Sequence, residues 1–139
     1  MPYWRLFYHV VWATKNRLDL IDPAWEKDLY GYLWGKATAW ECVPHAIGGM
    51  SDHIHVAISI PPKVAVATLI GKLKGSSSHH INERYANGSF LWQAEYGVSS
   101  FSEKALASVV EYINNQKKHH LGNSLNVGLE HIAQDGLQK

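Results

Sequence analysis

Gly48-Gly49-Met50-Ser51-Asp52-His53-Ile54-His55-Val56-Ala57-Ile58-Ser59-Ile60 is the stretch whose reading decides the fold. From His53 onward it alternates: His53, His55, Ala57 and Ser59 take one set of positions, and Ile54, Val56, Ile58 and Ile60 take the other. A period of two is the signature of a strand. The β-branched face suits packing against helices, while the other face carries two imidazoles followed by two small side chains. Histidines at i and i+2 on a strand point the same way, roughly 6–7 Å apart, close enough to share one cation. Neutral imidazole is a common ligand for divalent transition metals. Partly exposed histidines with no ligand fit the same pattern, because chemistry also needs a third ligand and a reactive group.

A chain of 139 residues is one ordinary domain with room for a real core, expected here over 1–139 with 121–139 as a C-terminal tail. Hydrophobic residues at 46% against 18% charged describe a compact globular protein rather than a disordered one. The single cysteine, Cys42, rules out an internal disulfide and fits a reducing compartment. Met1-Pro2-Tyr3-Trp4-Arg5-Leu6 shows no charged leader ahead of an apolar run, and no run approaches membrane-spanning length, so a cytoplasmic location is expected. A net charge of +1 neither requires nor excludes a nucleic-acid partner.

In chain order, Tyr3 to Thr14 is rich in aromatic and β-branched residues and reads as a central strand, ended by Lys15-Asn16-Arg17. Asp22-Pro23 starts a helix, and Trp25, Leu29, Leu33, Ala37 and Trp40 recur at helical spacing to about Trp40. Cys42 to Ile47 is a second strand; Gly48-Gly49 and Ser51-Asp52 supply turn chemistry for a hairpin into the histidine strand, which Pro61-Pro62 stops. A second helix fits Val64 to Tyr85. Phe90-Leu91-Trp92 and Tyr96 to Ser100 are strand material, and Ser102 can cap a last helix from Glu103 to about His120, which Gly122 ends. The order β-α-β-β-α-β-α matches, over its first six elements, the ferredoxin-like α+β pattern. It implies an antiparallel sheet with helices on one face and a further C-terminal helix.

On that last helix Leu106, Val109, Val110 and Ile113 form the buried stripe. Tyr112 and Gln116, one turn apart, project together about 90–120° from its centre. Such a pair is also common on plain helix surfaces. Lys15, Arg17, Lys72 and Lys74 are candidate phosphate contacts, although a solvated loop tip and a solvated helix face account for the same residues.

His-x-His on a strand, with Tyr-x-x-x-Gln on a helix after the last strand, resembles the small tyrosine transposases of bacterial insertion sequences, including those associated with repetitive extragenic palindromes. These belong to the HUH nuclease class. The motif stands here as His53-Ile54-His55, and the likeness runs from Tyr8-His9-Val10-Val11-Trp12 through Ser59-Ile60-Pro61-Pro62, Leu73-Lys74-Gly75-Ser76, Leu91-Trp92-Gln93 and Tyr96-Gly97-Val98-Ser99 to Glu111-Tyr112-Ile113-Asn114-Asn115-Gln116.

The resemblance implies that the C-terminal helix carries the nucleophile, Tyr112. It further implies that His53, His55 and Gln116 ligate Mg²⁺ or Mn²⁺, and that the substrate is single-stranded DNA with subterminal hairpins. The protein would act as a homodimer, associated with the nucleoid, in which a tyrosine helix can complete the partner's site. No nucleotide cofactor is expected, consistent with the absence of a Walker-type Gly-Lys-Ser/Thr loop. The residue types suit a Tyr112 phenolate that attacks a DNA phosphate in line, leaving a 5′-phosphotyrosine and a free 3′-OH. At pH 7 a free phenolate costs on the order of 4 kcal/mol, which a nearby cation partly offsets.

Two other classes stay open on the residues. One is a non-catalytic nucleic-acid-binding protein on the same sheet. The other is a zinc hydrolase in which His53 and His55 are joined by His9 or His45. His119 and His120, near the Gln116 turn, could compete as ligands or form a polar helix end.

Overall fold

A computed structural model of the chain describes residues 3–122 and 124–132. Its main elements are β1 (Phe7–Ala13), α1 (Glu26–Ala39), β2 (Val43–Gly49), β3 (His53–Ser59), α2 (Val66–Ile81), β4 (Gly97–Phe101), α3 (Leu106–Asn114), α4 (Gln116–Leu121) and α5 (Val127–Glu130). The strands form one antiparallel sheet in the order β2-β3-β1-β4, the arrangement expected from the β-α-β-β-α-β pattern. No helix among the described residues is long and apolar enough to cross a membrane.

Register decides what each face carries. Val11 stands opposite His55 and His9 opposite Ala57, so His9, Val11, Ala13, His53, His55 and Ala57 share one face. Val10, Trp12, Ile54, Val56 and Ile58 share the other. There they pack with Leu29, Leu33 and Ala37 of α1 and Leu69, Ile70, Leu73 and Ile81 of α2 into the main core. Each such fully buried aliphatic side chain contributes roughly 1.5–3 kcal/mol. The histidine face carries a smaller core of Ala46, Ala57, Val109 and Ile113, because α3 crosses the sheet on that side. Helices therefore cover both faces: α1 and α2 the apolar one, α3 the one that carries the histidines.

Several elements differ from expectation for local reasons. Gly48 and Gly49 lie inside β2 rather than in the turn. A Cβ on Gly48 would stand 2.3 Å from the carbonyl oxygen of Ile113, and one on Gly49 2.1 Å from that of His53. The pair serves close approach, and the turn falls at Met50–Asp52, closed by Met50 N–H on the His53 carbonyl at 3.0 Å. The hairpin has a bulge between Pro44 and Ala46. Phe90–Trp92 forms no strand beyond a bridge between Thr14 and Trp92. The Asn82 side chain instead takes N–H bonds from Gly88 at 3.0 Å and Phe90 at 2.8 Å, and donates to the Phe90 carbonyl at 2.8 Å.

The expected helix from Glu103 to His120 is a 3-10 turn at Glu103–Ala105, then α3 and α4, broken at Asn115 (φ −113°, ψ 30°). The Asn115 amide bonds back to the Glu111 carbonyl at 2.9 Å, a side-chain contact that competes with helix propagation. Within the expected tail, Asn126 accepts a hydrogen bond from Leu129 N–H and caps α5. Positions 123 and 133–139 lie outside the described residues.

Candidate active site

β3 leaves the hairpin turn with His53 and His55 pointing at the helices that cross their face. Tyr112 enters from α3, Gln116 from α4 and Glu130 from α5, all in one chain. Gln116 Oε1 lies 3.2 Å from His53 Nε2, and its Nε2 donates to Glu130 Oε2 at 3.4 Å. Glu130 spans both motif histidines: Oε1 is 3.3 Å from His53 Nε2 and Oε2 is 3.3 Å from His55 Nε2. The Tyr112 phenol donates to Glu130 Oε2 and accepts from the Asn126 N–H at 3.0 Å. His120 Nε2 stands 3.0 Å from Gln116 Oε1 and 3.8 Å from Glu130 Oε2. His53, His55, Tyr112 and Gln116 keep only 1%, 0%, 6% and 2% of their surface exposed, so these contacts form away from bulk water.

The far ring nitrogens are also engaged. His53 Nδ1 lies 2.7 Å from Asp52 Oδ1, and His55 Nδ1 lies 2.8 Å from His9 Nε2. An ionised carboxylate only accepts, so Asp52 holds the proton of His53 on Nδ1 and turns Nε2 to the site. Burial and the neighbouring His55 push His9 down to about 3, so His9 is neutral and can accept from His55 Nδ1–H. Asp52 in turn meets Arg17 Nη2 at 3.4 Å.

Charge balance in the site follows from burial set against contact. Burial would raise the Glu130 carboxyl, but close contacts with His53, His55 and Tyr112 outweigh it and hold the group far below the usual carboxylate range. Burial would lower His53, yet its contacts with Glu130 and Asp52 lift it above the ordinary histidine value. His55 and His120 are lowered by burial, against the pull of Glu130. Tyr112 is raised by burial and by donating to Glu130, so the resting phenol keeps its proton.

These residues suit a divalent cation. His55 Nε2 is buried and makes no hydrogen bond of good geometry despite facing Glu130. His53, His120 and Glu130 each offer one ligand atom within 4.8 Å of the others. Imidazole nitrogens converging with carboxylate and amide oxygens form a mixed donor set for such an ion.

The other sequence candidates lie elsewhere. Arg17 reaches the site through Asp52, and Lys15 is exposed in the same 3-10 turn, Lys15–Arg17. Lys72 and Lys74 belong to α2, across the sheet from the histidines. Lys74 donates to the carbonyls of Gln93, Ala94 and Glu95 at 2.5, 3.2 and 3.2 Å, leaving no ammonium hydrogen for a phosphate. Without DNA, Lys74 holds the 93–95 loop. His9 sits behind His55, and His45 pairs with Ser59 at 2.8 Å, two residues past Ala57 on β3, so neither joins the two Nε2 atoms as a zinc site would need. Glu130 is invisible in the sequence because its four-residue helix carries no periodic signal, and Asp52 reads there as a turn residue only.

The overall fold is shared with solved transposase structures. A transposase from Deinococcus radiodurans R1 superposes with a TM-score of 0.68 at 27% identity, over 84% of this chain and 95% of that one. A REP-associated tyrosine transposase bound to a REP hairpin shares the fold, with a TM-score of 0.65 at 14% identity, over 86% of this chain and 74% of that one. Residues 2–116 match the family described as transposase, IS200 like, and the chain belongs to that family. Relatives include the transposase for insertion sequence element IS200 of Salmonella typhimurium, 29% identical over 89% of this chain and 86% of its own. The ISDra2 transposase TnpA of Deinococcus radiodurans is 26% identical over 81% and 85%.

Proposed function

We propose that this transposase cleaves and rejoins single-stranded DNA at hairpin-bearing element ends through a 5′-phosphotyrosine on Tyr112, and that it acts as a homodimer. The observation that carries the reading is the sharing of one Glu130 carboxylate by the Tyr112 phenol and the Nε2 atoms of His53 and His55, which sets a nucleophile beside a ligand cluster. The REP hairpin on a structure of the same fold supports a hairpin substrate. His53, His55 and Gln116 would hold Mg²⁺ or Mn²⁺, whose chemistry here is to polarise a non-bridging phosphate oxygen.

The phenol oxygen forms a bond to phosphorus as the bond from phosphorus to the 3′ oxygen breaks. The phenol proton is lost to solvent as the new bond forms, and the leaving 3′ oxygen takes a proton from solvent to become the 3′-OH. Asn126 N–H, which points at the same phenol oxygen, orients it. Rejoining reverses the step with another 3′-OH, so the phosphoester energy is kept and no nucleotide is consumed.

The test is a denaturing gel for a protein–DNA adduct, using single strands from the gene's flanks with Mn²⁺ or with EDTA. Wild type should give an adduct only with Mn²⁺, and Tyr112→Phe should give none while binding the same strands. Binding without any adduct would make the chain a nucleic-acid-binding protein instead. Light scattering of the protein on its hairpin strand checks the dimer.

A further inference from the structure

The carboxylate of Glu130 meets Tyr112, Gln116, His53, His55 and His120. The Nε2 atoms of His53 and His55 both face it. Asp52 takes the Nδ1 proton of His53, and His55 Nδ1 meets His9 Nε2 at 2.8 Å, so both rings turn Nε2 towards the site. Each Nε2 faces a different oxygen of Glu130 at 3.3 Å. His53, His120 and Glu130 each bring one ligand atom within 4.8 Å of the others, a carboxylate set among imidazoles as a divalent cation would use them. Gln116 Oε1 adds a further donor 3.2 Å from His53 Nε2.

The segment that delivers Glu130 is seated rather than draped. Asn126 caps α5 with its side chain and gives its N–H to Tyr112, and the backbone after Glu130 lies so close to β4 that a Cβ on Gly97 would stand 2.0 Å from the His131 carbonyl oxygen.

We infer that Glu130 is a ligand of the divalent metal, so that the centre is His53, His55, Gln116 and Glu130, with the C-terminal segment supplying its only anion. This rests on the metal-dependent reading above. A hard carboxylate oxygen suits Mg²⁺ and Mn²⁺, and four protein donors in an octahedral shell leave two positions for phosphate oxygen or water. It also lowers the formal charge of the ion and its ligands from +2 to +1, which an all-neutral set would leave unchanged.

Mn²⁺ binding to the full chain without DNA, followed by calorimetry and by the EPR signal of free Mn²⁺, tests this on wild type, Glu130→Gln, Glu130→Asp and His53→Ala, each checked for native folding by circular dichroism. Glu130→Gln should weaken Mn²⁺ binding at least tenfold, Glu130→Asp less, and His53→Ala should abolish it. If Glu130 only fills the place of the ion, removing its charge would leave affinity unchanged or tighten it; that result, with His53→Ala still abolishing binding, overturns the assignment alone. Mn²⁺ binding that survives His53→Ala overturns the metal centre itself.

Discussion

The Nε2 of His9 lies 2.8 Å from the Nδ1 of His55, joining two buried imidazoles on neighbouring strands. Burial together with His55 holds His9 at about 3 against an ordinary 6.5. The unfolded chain protonates His9 near pH 6.5 and the folded chain only near pH 3, so the unfolded state binds more protons between them. Stability therefore falls as pH drops through that window. His9 alone costs about 2 kcal/mol at pH 5 relative to neutral pH. Urea unfolding in EDTA at pH 7.5 and 5 should show this loss in wild type and a smaller one in His9→Asn. Equal losses would mean that His9 is already charged in the fold.

Gly48 governs how closely the tyrosine helix lies on the sheet. An added Cβ would meet the Ile113 carbonyl oxygen at 2.3 Å, a backbone atom that moves only with α3. Gly48→Ala should cost about 1–3 kcal/mol, the range for overpacking, and should slow adduct formation more than it weakens strand binding. Denaturant midpoints and single-turnover gels measure the two effects. Wild-type behaviour in both would show that α3 has another way to seat.

Much of this was legible in the chain because it is local. The alternation of His53 to Ile60 fixed both faces of β3, and the spacing of Leu29, Leu33 and Ala37 placed α1. Tyr112 and Gln116 stood out as a pair one turn apart, and they do converge on the histidines. What was hidden depends on contacts distant in sequence. Gly48-Gly49 reads equally as a turn or as a close approach until Ile113 is in place. Asn115 breaks the helix although helix-forming residues, Gln116 to Lys118, follow it. Glu130 lies on a single helical turn without an amphipathic pattern, and its histidine partners on β3 are distant in sequence. Only the folded backbone brings them together.

Lys72 and Lys74 look alike in sequence and should behave differently. Lys74 ties the 93–95 loop through three carbonyls, whereas Lys72 is exposed on α2. Lys74→Ala should lower stability by about 1–2 kcal/mol, less than for fully buried charged hydrogen bonds because the ammonium is partly solvated. Lys72→Ala should leave stability within about 0.5 kcal/mol. If Lys72 contacts a phosphate, that substitution lowers the slope of log affinity against log salt by about 0.7 on single strands. Unfolding curves and salt titrations separate the two roles, and identical effects would refute the distinction.

Gly97 offers a way to lift the C-terminal segment without touching the ligands. It pairs with Val11 at the start of β4, and a Cβ there would meet the His131 carbonyl oxygen at 2.0 Å and Ile132 Cα at 3.1 Å. Alanine is tolerated in a strand, so the sheet should keep its register and the 130–132 backbone should move away. Glu130 then withdraws from His53 and His55, and the Asn126 N–H loses the Tyr112 oxygen. Hydrogen exchange at Asn126 should accelerate while global stability changes by less than about 1 kcal/mol. Mn²⁺ affinity should fall in the same direction as in Glu130→Gln, although every ligand is still present. Exchange at Asn126 as slow as in wild type would show that the segment does not depend on the open space above Gly97.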